Sequence, residues 1–381
     1  DFTNYDTDGA DQNWNAFWHR EGEGAKGKAS NGGAGQGKVT YFAHSLAGLV
    51  LGLTVRSTDK QRLLMGRAAF LRDYKFSDGA KYYRSAYWTA SQEAPYPETD
   101  SEALVTFCKA FGLQRGETDT GLSLVIPYAR YFDEKDALAS VILDFYTPIV
   151  ANRLEVSIGD IVVNSKTIDD VADKILDDSD VVQRSSSFTR DFRAFARGIV
   201  ENPITTVELK PGWNRNRLIP DDALPDGATA TLRSQLEAGE RISIRLPLTL
   251  KRQSQVIETS FDVFIAAPPG LSRNEEAFVR TDLLIGSESH VTAGTVVQKT
   301  RSLTWVQDKE LSEFLLAAEE PTHLKWNASL VRDKGVYQAS ASDTALRSIR
   351  QAVPRLLALL LGGNDTRDVK SLARFFAKPA Q

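Results

Sequence analysis

The chain has 381 residues, of which 42% are hydrophobic and 25% charged, the composition of an ordinary globular protein long enough for about two to three domains with cores of their own. No apolar run approaches about 18 residues, and the N-terminus lacks the basic and apolar regions of a signal peptide, so a transmembrane helix and a membrane partner are excluded and a cytoplasmic protein is expected. One cysteine, Cys108, excludes an internal disulfide and a cysteine-rich zinc site, and a net charge of −4 gives no global attraction to nucleic acid.

The chain opens with the acidic DFTNYDTDGAD; its single methionine is Met65, so Asp1 is not a translation start and further sequence is expected upstream. Trp14, Phe17 and Trp18 in NWNAFWHREGEG form an aromatic patch at helical spacing. The most informative stretch follows. Glu21 to Lys38, EGEGAKGKASNGGAGQGK, places seven of the protein's 26 glycines in eighteen residues. Glycine lets a backbone approach a ligand without a Cβ in the way, and successive N–H groups can then converge on phosphate oxygens. Val39 to Ser45 reads as the first turns of a helix whose N-terminus favours an anion. Nucleotide phosphate binding is the functional reading, and a solvated loop carrying Lys26, Lys28 and Lys38 is the alternative.

Gly32 to Val39 nearly fits the P-loop pattern GxxxxGK[ST], with Lys38 as the phosphate lysine. Val39 stands where a hydroxyl should reach magnesium, Thr40 is one place too late, and no aliphatic strand precedes the loop between His19 and Asn31.

Beyond the loop, Leu49 to Arg72 reads as strand segments, Tyr82 to Thr89 as an aromatic strand, Glu102 to Gly112 as a short helix bearing Cys108, and Leu122 to Tyr128 as a buried strand. Asp136 to Val150 has helical periodicity, Leu154 to Val163 reads as a hairpin, and the acidic pair Asp169-Asp170 as helix N-terminal charge. The composition shift LDDSDVVQRSSS, Leu176 to Ser187, is the expected linker. A helix from Phe188 to Val200 follows, then strands Thr205–Lys210, Ile242–Lys251, Val256–Ala266 and Ala277–Ile285. The chain ends in helices with Ala345, Ile349, Val353, Leu356 and Leu360 on one face and a bend at Pro354. KPGWNRNR, Lys210 to Arg217, interleaves basic residues with Trp213, and reads either as a nucleic-acid contact or as a turn whose tryptophan covers an edge. The four histidines have no metal-binding spacing and no nucleophile motif accompanies them, so no metal ligand is assigned.

The glycine stretch and its flanks resemble the lid of GHKL ATPases, the superfamily of DNA gyrase, the ninety-kilodalton heat-shock chaperone, histidine kinases, MutL and MORC proteins. Gly32, Gly35 and Gly37 match the G-x-x-G-x-G lid, and NWNAFWHREGEG resembles the helix entering it. KVTYFAHS, GLVLGLTVRS and RLLMGRAAF look like the following helix and two strands, and TGLSLVIPY like the strand that closes the ATP-binding sandwich. The resemblance implies that Gly32, Gly33, Gly35, Gln36, Gly37 and Lys38 surround the phosphates of ATP held with Mg2+. It implies that Asp1 contacts the adenine, although Thr3 stands where a glycine is usual. The superfamily's general-base Glu and magnesium-binding Asn would lie upstream of Asp1.

EEAFVRTDLLIG, Glu275 to Gly286, resembles a strand of the transducer domain that follows the ATPase domain in gyrase, MutL and the chaperone. The loop after that strand carries a basic residue to the γ-phosphate; here LSEFLLAAEEPTHLKWN offers Lys325 beside His323 as the catalytic cation, with Lys299 and Arg280 as competitors. Together these imply an α/β (α+β) protein: a two-layer sandwich ATP-binding domain over 1–176, then a smaller mixed transducer-like domain over 188–381. They imply a homodimer or a protein partner coupled to lid closure, in bacterial DNA transactions or phage defence. A non-catalytic interaction module on the same fold and a P-loop NTPase are the alternatives.

Overall fold

The computed structural model describes residues 13–19, 37–69, 73–75, 77–91, 95–176, 189–286, 288, 290–291, 298–320 and 325–362. It is a mixed α/β (α+β) fold whose contacts divide it between Asp133 and Glu134, giving units Asp1–Asp133 and Glu134–Gln381. The break therefore falls well before the expected linker at Leu176–Ser187, and the second unit is the larger one.

The first unit is built on a four-stranded antiparallel sheet of order β5-β2-β1-β6. β1 (Leu49–Val55) and β2 (Arg62–Ala69) are central, and β6 (Gly121–Val125) and β5 (Ser85–Trp88) are the edges. A two-stranded ribbon, β3 (Tyr74–Lys75) with β4 (Lys81–Tyr82), intervenes, so the single aromatic strand expected over Tyr82–Thr89 is divided between β4 and β5. β6 is half-buried along its length rather than buried, as an edge position requires. β1 and β2 read as continuous apolar runs because side chains pack on both of their faces. Against one lies α1 (Asn13–Trp18), whose Trp14 and Trp18 pack on Leu63 and Met65; against the other, Leu104 of α3 (Ser101–Ala110) packs on Leu53 and Leu64. The sheet thus carries helices on both faces instead of the expected one. A Cβ on Gly52 would lie 2.8 Å from Cζ2 of Trp18, so glycine there is what lets the buried indole lie on the strand. Asp100 caps α3 through the amide of Ala103 at 2.9 Å, and Arg62 on β2 reaches the Cys108 thiol at 3.3 Å. α2 (Gly37–His44) precedes β1.

The second unit has a six-stranded mixed sheet of order β13-β12-β14-β11-β10-β9. Before the sheet come α4 (Glu134–Val150), the hairpin β7 (Val156–Ile158) and β8 (Ile161–Val163), α5 (Ile168–Ile175) and α6 (Arg190–Glu201). The strands are β9 (Thr206–Glu208), β10 (Ile242–Arg252), β11 (Gln255–Ala266), β12 (Glu275–Arg280), β13 (Leu283–Leu284) and β14 (Arg301–Val306), with α7 (Ala228–Glu237) between β9 and β10. α8 (Lys309–Ala318), α9 (Ala328–Lys334) and α10 (Ala339–Leu360) complete it.

Residues 134–176 join this unit because Leu138, Ile142, Tyr146 and Ile175 pack with Phe192, Ala277, Val279, Leu303 and Trp305 in one core. The opposite sheet face packs Ile244, Leu246, Leu248 and Leu250 against Ile349, Val353 and Leu356 of α10, which is the apolar face expected from the sequence. Helices on both sides bury every residue of β12 and β14, while β10 alternates because only one of its faces is covered. Thr281, at φ 56°, turns the expected continuous strand Ala277–Ile285 into the β12–β13 hairpin. No helix among the described residues is long and apolar enough to cross a membrane.

Candidate functional site

Of the glycine-loop residues assigned to nucleotide, Gly37 and Lys38 are described; Asp1, Gly32, Gly33, Gly35 and Gln36 lie outside the described residues. Gly37 opens α2, two residues before the expected start at Val39, and a Cβ built on it meets no described residue within 4 Å. Among the described residues nothing demands glycine at 37.

Lys38 is 7% exposed, and its ammonium donates to the main-chain carbonyl of Ala16 in α1. That bond joins the start of α2 to α1. A second buried cation works at the same place: Arg67 on β2, 4% exposed, donates from Nη1 to the carbonyl of Trp18 at 2.9 Å and from Nη2 to the Ser85 hydroxyl at 3.3 Å. Its guanidinium also lies 5.6 Å from the Phe42 ring centre and 5.8 Å from that of Tyr87. Two cations thus meet carbonyls at the C-terminal end of α1, where the backbone leaves its acceptors unpaired and the dipole is negative. His19 follows directly, its ring 5.2 Å from Tyr87; burial first and then the Arg67 charge lower its pKa, keeping the imidazole neutral.

Sequence reasoning singled out Lys38 and passed over Arg67. The available signal was a charged residue inside the otherwise apolar LLMGRAA, since a buried arginine needs acceptors. The P-loop pattern loses its context here. The described residues before the loop form a helix and not a strand, the sheet is antiparallel throughout, and the Thr40 hydroxyl donates to the carbonyl of Gly37 at 2.5 Å.

In the second unit, LSEFLLAAEEPTHLKWN is not a loop throughout, as expected, but begins inside α8, whose N-terminus Asp308 caps through Leu311 N–H at 2.9 Å. Lys325 is exposed, with Nζ 3.6 Å from Glu320. Its backbone is fixed: its carbonyl accepts from Glu320 N–H at 3.2 Å, and Asn327 N–H donates to Ala318 at 2.6 Å. Next to it, Glu288 accepts from Trp326 N–H at 2.9 Å, from Arg350 Nε at 2.9 Å, and pairs with His290 Nε2 at 2.6 Å. Burial pushes the Glu288 pKa up, but the hydrogen bonds from His290, Arg350 and Trp326 overcome it and hold the carboxyl at about 2. His323 lies outside the described residues.

Of the competing cations, Lys299 is half-buried. Arg280 is withdrawn as a γ-phosphate candidate. It is 1% exposed and held by Glu319, Nε to Oε2 at 2.6 Å and Nη2 to Oε1 at 3.0 Å, so its charge is already matched inside the core. Asp169, read as helix-terminal charge, also accepts from the Tyr146 hydroxyl at 2.9 Å and from Arg197 Nε at 2.8 Å, joining α4, α5 and α6. Burial and then the Asp169 charge raise the Tyr146 pKa, so this phenol stays protonated as a structural donor. No group of His, Cys, Asp and Glu suited to a metal ion occurs among the described residues.

No family model matches the chain, and neither a curated protein nor a solved structure matches it.

Proposed function

We propose that the first unit binds ATP with Mg2+ in the manner of a GHKL domain, the glycine stretch acting as a lid whose closure couples nucleotide state to self-association or to a partner protein. The observation that carries this reading is the local arrangement at the loop. The glycine-rich segment lies in sequence between α1 and α2, which the Lys38–Ala16 bond joins, and α2 leads into antiparallel β1 and β2, with β6 beside β1. This is the order of elements the resemblance leads one to expect, and an anion at the α2 N-terminus would meet free amide donors and a favourable dipole. Bound Mg2+ would neutralise the phosphates. Lys38, bonded to a carbonyl, serves in this reading to set the loop's closure point rather than as a P-loop lysine.

Gly37→Val tests it. With no described residue within 4 Å of a Cβ at 37, the thermal midpoint is expected to stay unchanged while affinity for a fluorescent ATP analogue with Mg2+ is lost. Unchanged affinity would remove the loop from the site. A dimer that forms only with ATP, seen by analytical ultracentrifugation, is expected for a lid coupled to association.

A further inference from the structure

The KPGWNRNR segment separates its two residue types. Trp213 is 1% exposed, its indole N–H donating to the Pro247 carbonyl at 2.8 Å and its ring edge-on to Phe261 at 6.4 Å. It is core and offers no face to a base. The Arg355 guanidinium of α10 lies 5.9 Å from the centre of that ring, and Asn214 Nδ2 donates to the Ser348 hydroxyl of α10 at 2.9 Å. These two contacts lay the turn beside α10; exposed Arg215 and Arg217 follow Asn214 in that turn, and on the helix Arg347 adjoins Ser348 while Arg355 lies against Trp213.

Among the described residues, none of these four guanidiniums has a carboxylate partner, and Nη1 of Arg355 is buried without an acceptor. Asp343, one helical turn before Arg347, is taken by Arg332 at 2.8 Å. Asp221 and Asp222, exposed on the 3-10 turn that follows the segment, form no ion pair with them. Burial first, and then the nearby Arg347 charge, lower the Arg355 pKa.

We infer that Arg215, Arg217, Arg347 and Arg355 form a docking surface for the phosphodiester backbone of nucleic acid, engaged through charge and not through base stacking. Spacing decides the class of anion. Arg347 and Arg355 are eight residues apart, roughly 12 Å along the helix axis. Consecutive phosphates, at about 3.4 Å of axis per strand, span that distance and can meet several guanidiniums at once. Guanidinium forks fit phosphate oxygens in pairs, and a negative protein overall can still bind a polyanion through one uncompensated patch. The surface belongs to the second unit and does not depend on the nucleotide reading of the first.

The test is fluorescence anisotropy of the full chain with a labelled mixed-sequence DNA duplex, titrated at several salt concentrations. The wild type should bind at low salt with a steep salt dependence. The double variant Arg215→Gln/Arg347→Gln, at two exposed positions and with an unchanged thermal midpoint, should lose roughly 2 from the slope of log Kd against log salt and bind about tenfold or more weakly, for every sequence alike. Arg273→Gln, at an exposed arginine before β12, should leave the slope within about 1 of wild type. Absence of binding at low salt, an unchanged slope in the double variant, or equal losses in Arg273→Gln would overturn the assignment. Displacement by poly-glutamate as effective as by unlabelled DNA would make this an acidic-peptide surface and overturn it as well.

Discussion

The ammonium of Lys38 donates to the carbonyl of Ala16, twenty-two residues earlier, and so ties the start of α2 to α1. Replacing it with methionine keeps the apolar stem and removes the donor, leaving a buried carbonyl short of its cation. Lys38→Met is expected to cost the first unit about 1–3 kcal/mol. Urea unfolding followed by tryptophan fluorescence reads this directly, since Trp14 and Trp18 pack at the same place. No change in midpoint would mean that water replaces the ammonium without loss.

Arg280 and Glu319 should be energetically coupled. Glu319→Ala removes two charge-assisted hydrogen bonds from a guanidinium at 1% exposure and is expected to cost about 3–5 kcal/mol by chemical denaturation. The combined Arg280→Met/Glu319→Leu, which fills the space with apolar atoms, should recover most of that loss. A double variant as unstable as the single one would show that the pair does more than neutralise itself.

Acid stability should depend on Glu288. Its folded pKa of about 2 lies below the ordinary 4.5, so its contribution is complete above pH 4.5 and disappears as the pH falls through about 2. The displacement corresponds to roughly 3 kcal/mol for a side chain 3% exposed. Glu288→Gln should lower stability at neutral pH and flatten the acid limb of the stability curve over that window. An acid limb identical to wild type would place the pH dependence elsewhere.

Within the proposed ATPase reading, Lys325 is the cation assigned to the γ-phosphate. Lys325→Ala, made in a protein that includes the upstream general base, should then cut turnover by about 10² to 10³ while leaving ADP affinity unchanged, because ADP lacks the group contacted. Equal loss of both would indicate damage to the fold; loss of neither would return Lys325 to the surface.

Much of the fold was legible where side chains alternate or repeat with helical period. β10, β11 and the apolar face of α10 follow from Ile, Leu and Val at the required spacing. β14 was missed for a physical reason: RSLTWV is polar at half its positions yet wholly buried, with Arg301 held by Glu275, so its sequence looks like a loop. α7 escaped because only Leu232 and Leu236 face inward. The domain break was misplaced because LDDSDVVQRSSS reads as a linker, whereas the affinity of Tyr146 and Ile175 for Trp305 is a matter of long-range packing. At the site, Gly37 and Lys38 could be picked out, but the partner of Lys38 is a main-chain carbonyl, and no sequence pattern encodes that.

The β10–β11 hairpin carries a kinetic consequence. Its eleven rungs run from Arg252↔Gln255 to Ile242↔Ile265, each one adjacent in sequence to the last, so the ladder can zip from its turn in microseconds. The neighbouring β12–β14 pair is parallel and cannot form before the chain between Arg280 and Arg301 has crossed over. Hairpin first and parallel closure last is therefore the expected order in refolding. The slow step answers to the crossover, while Gln253, held at φ 52° in the tight turn, sets the speed of the first one: Gln253→Gly should hasten the early phase in stopped-flow experiments and leave the final one unaltered.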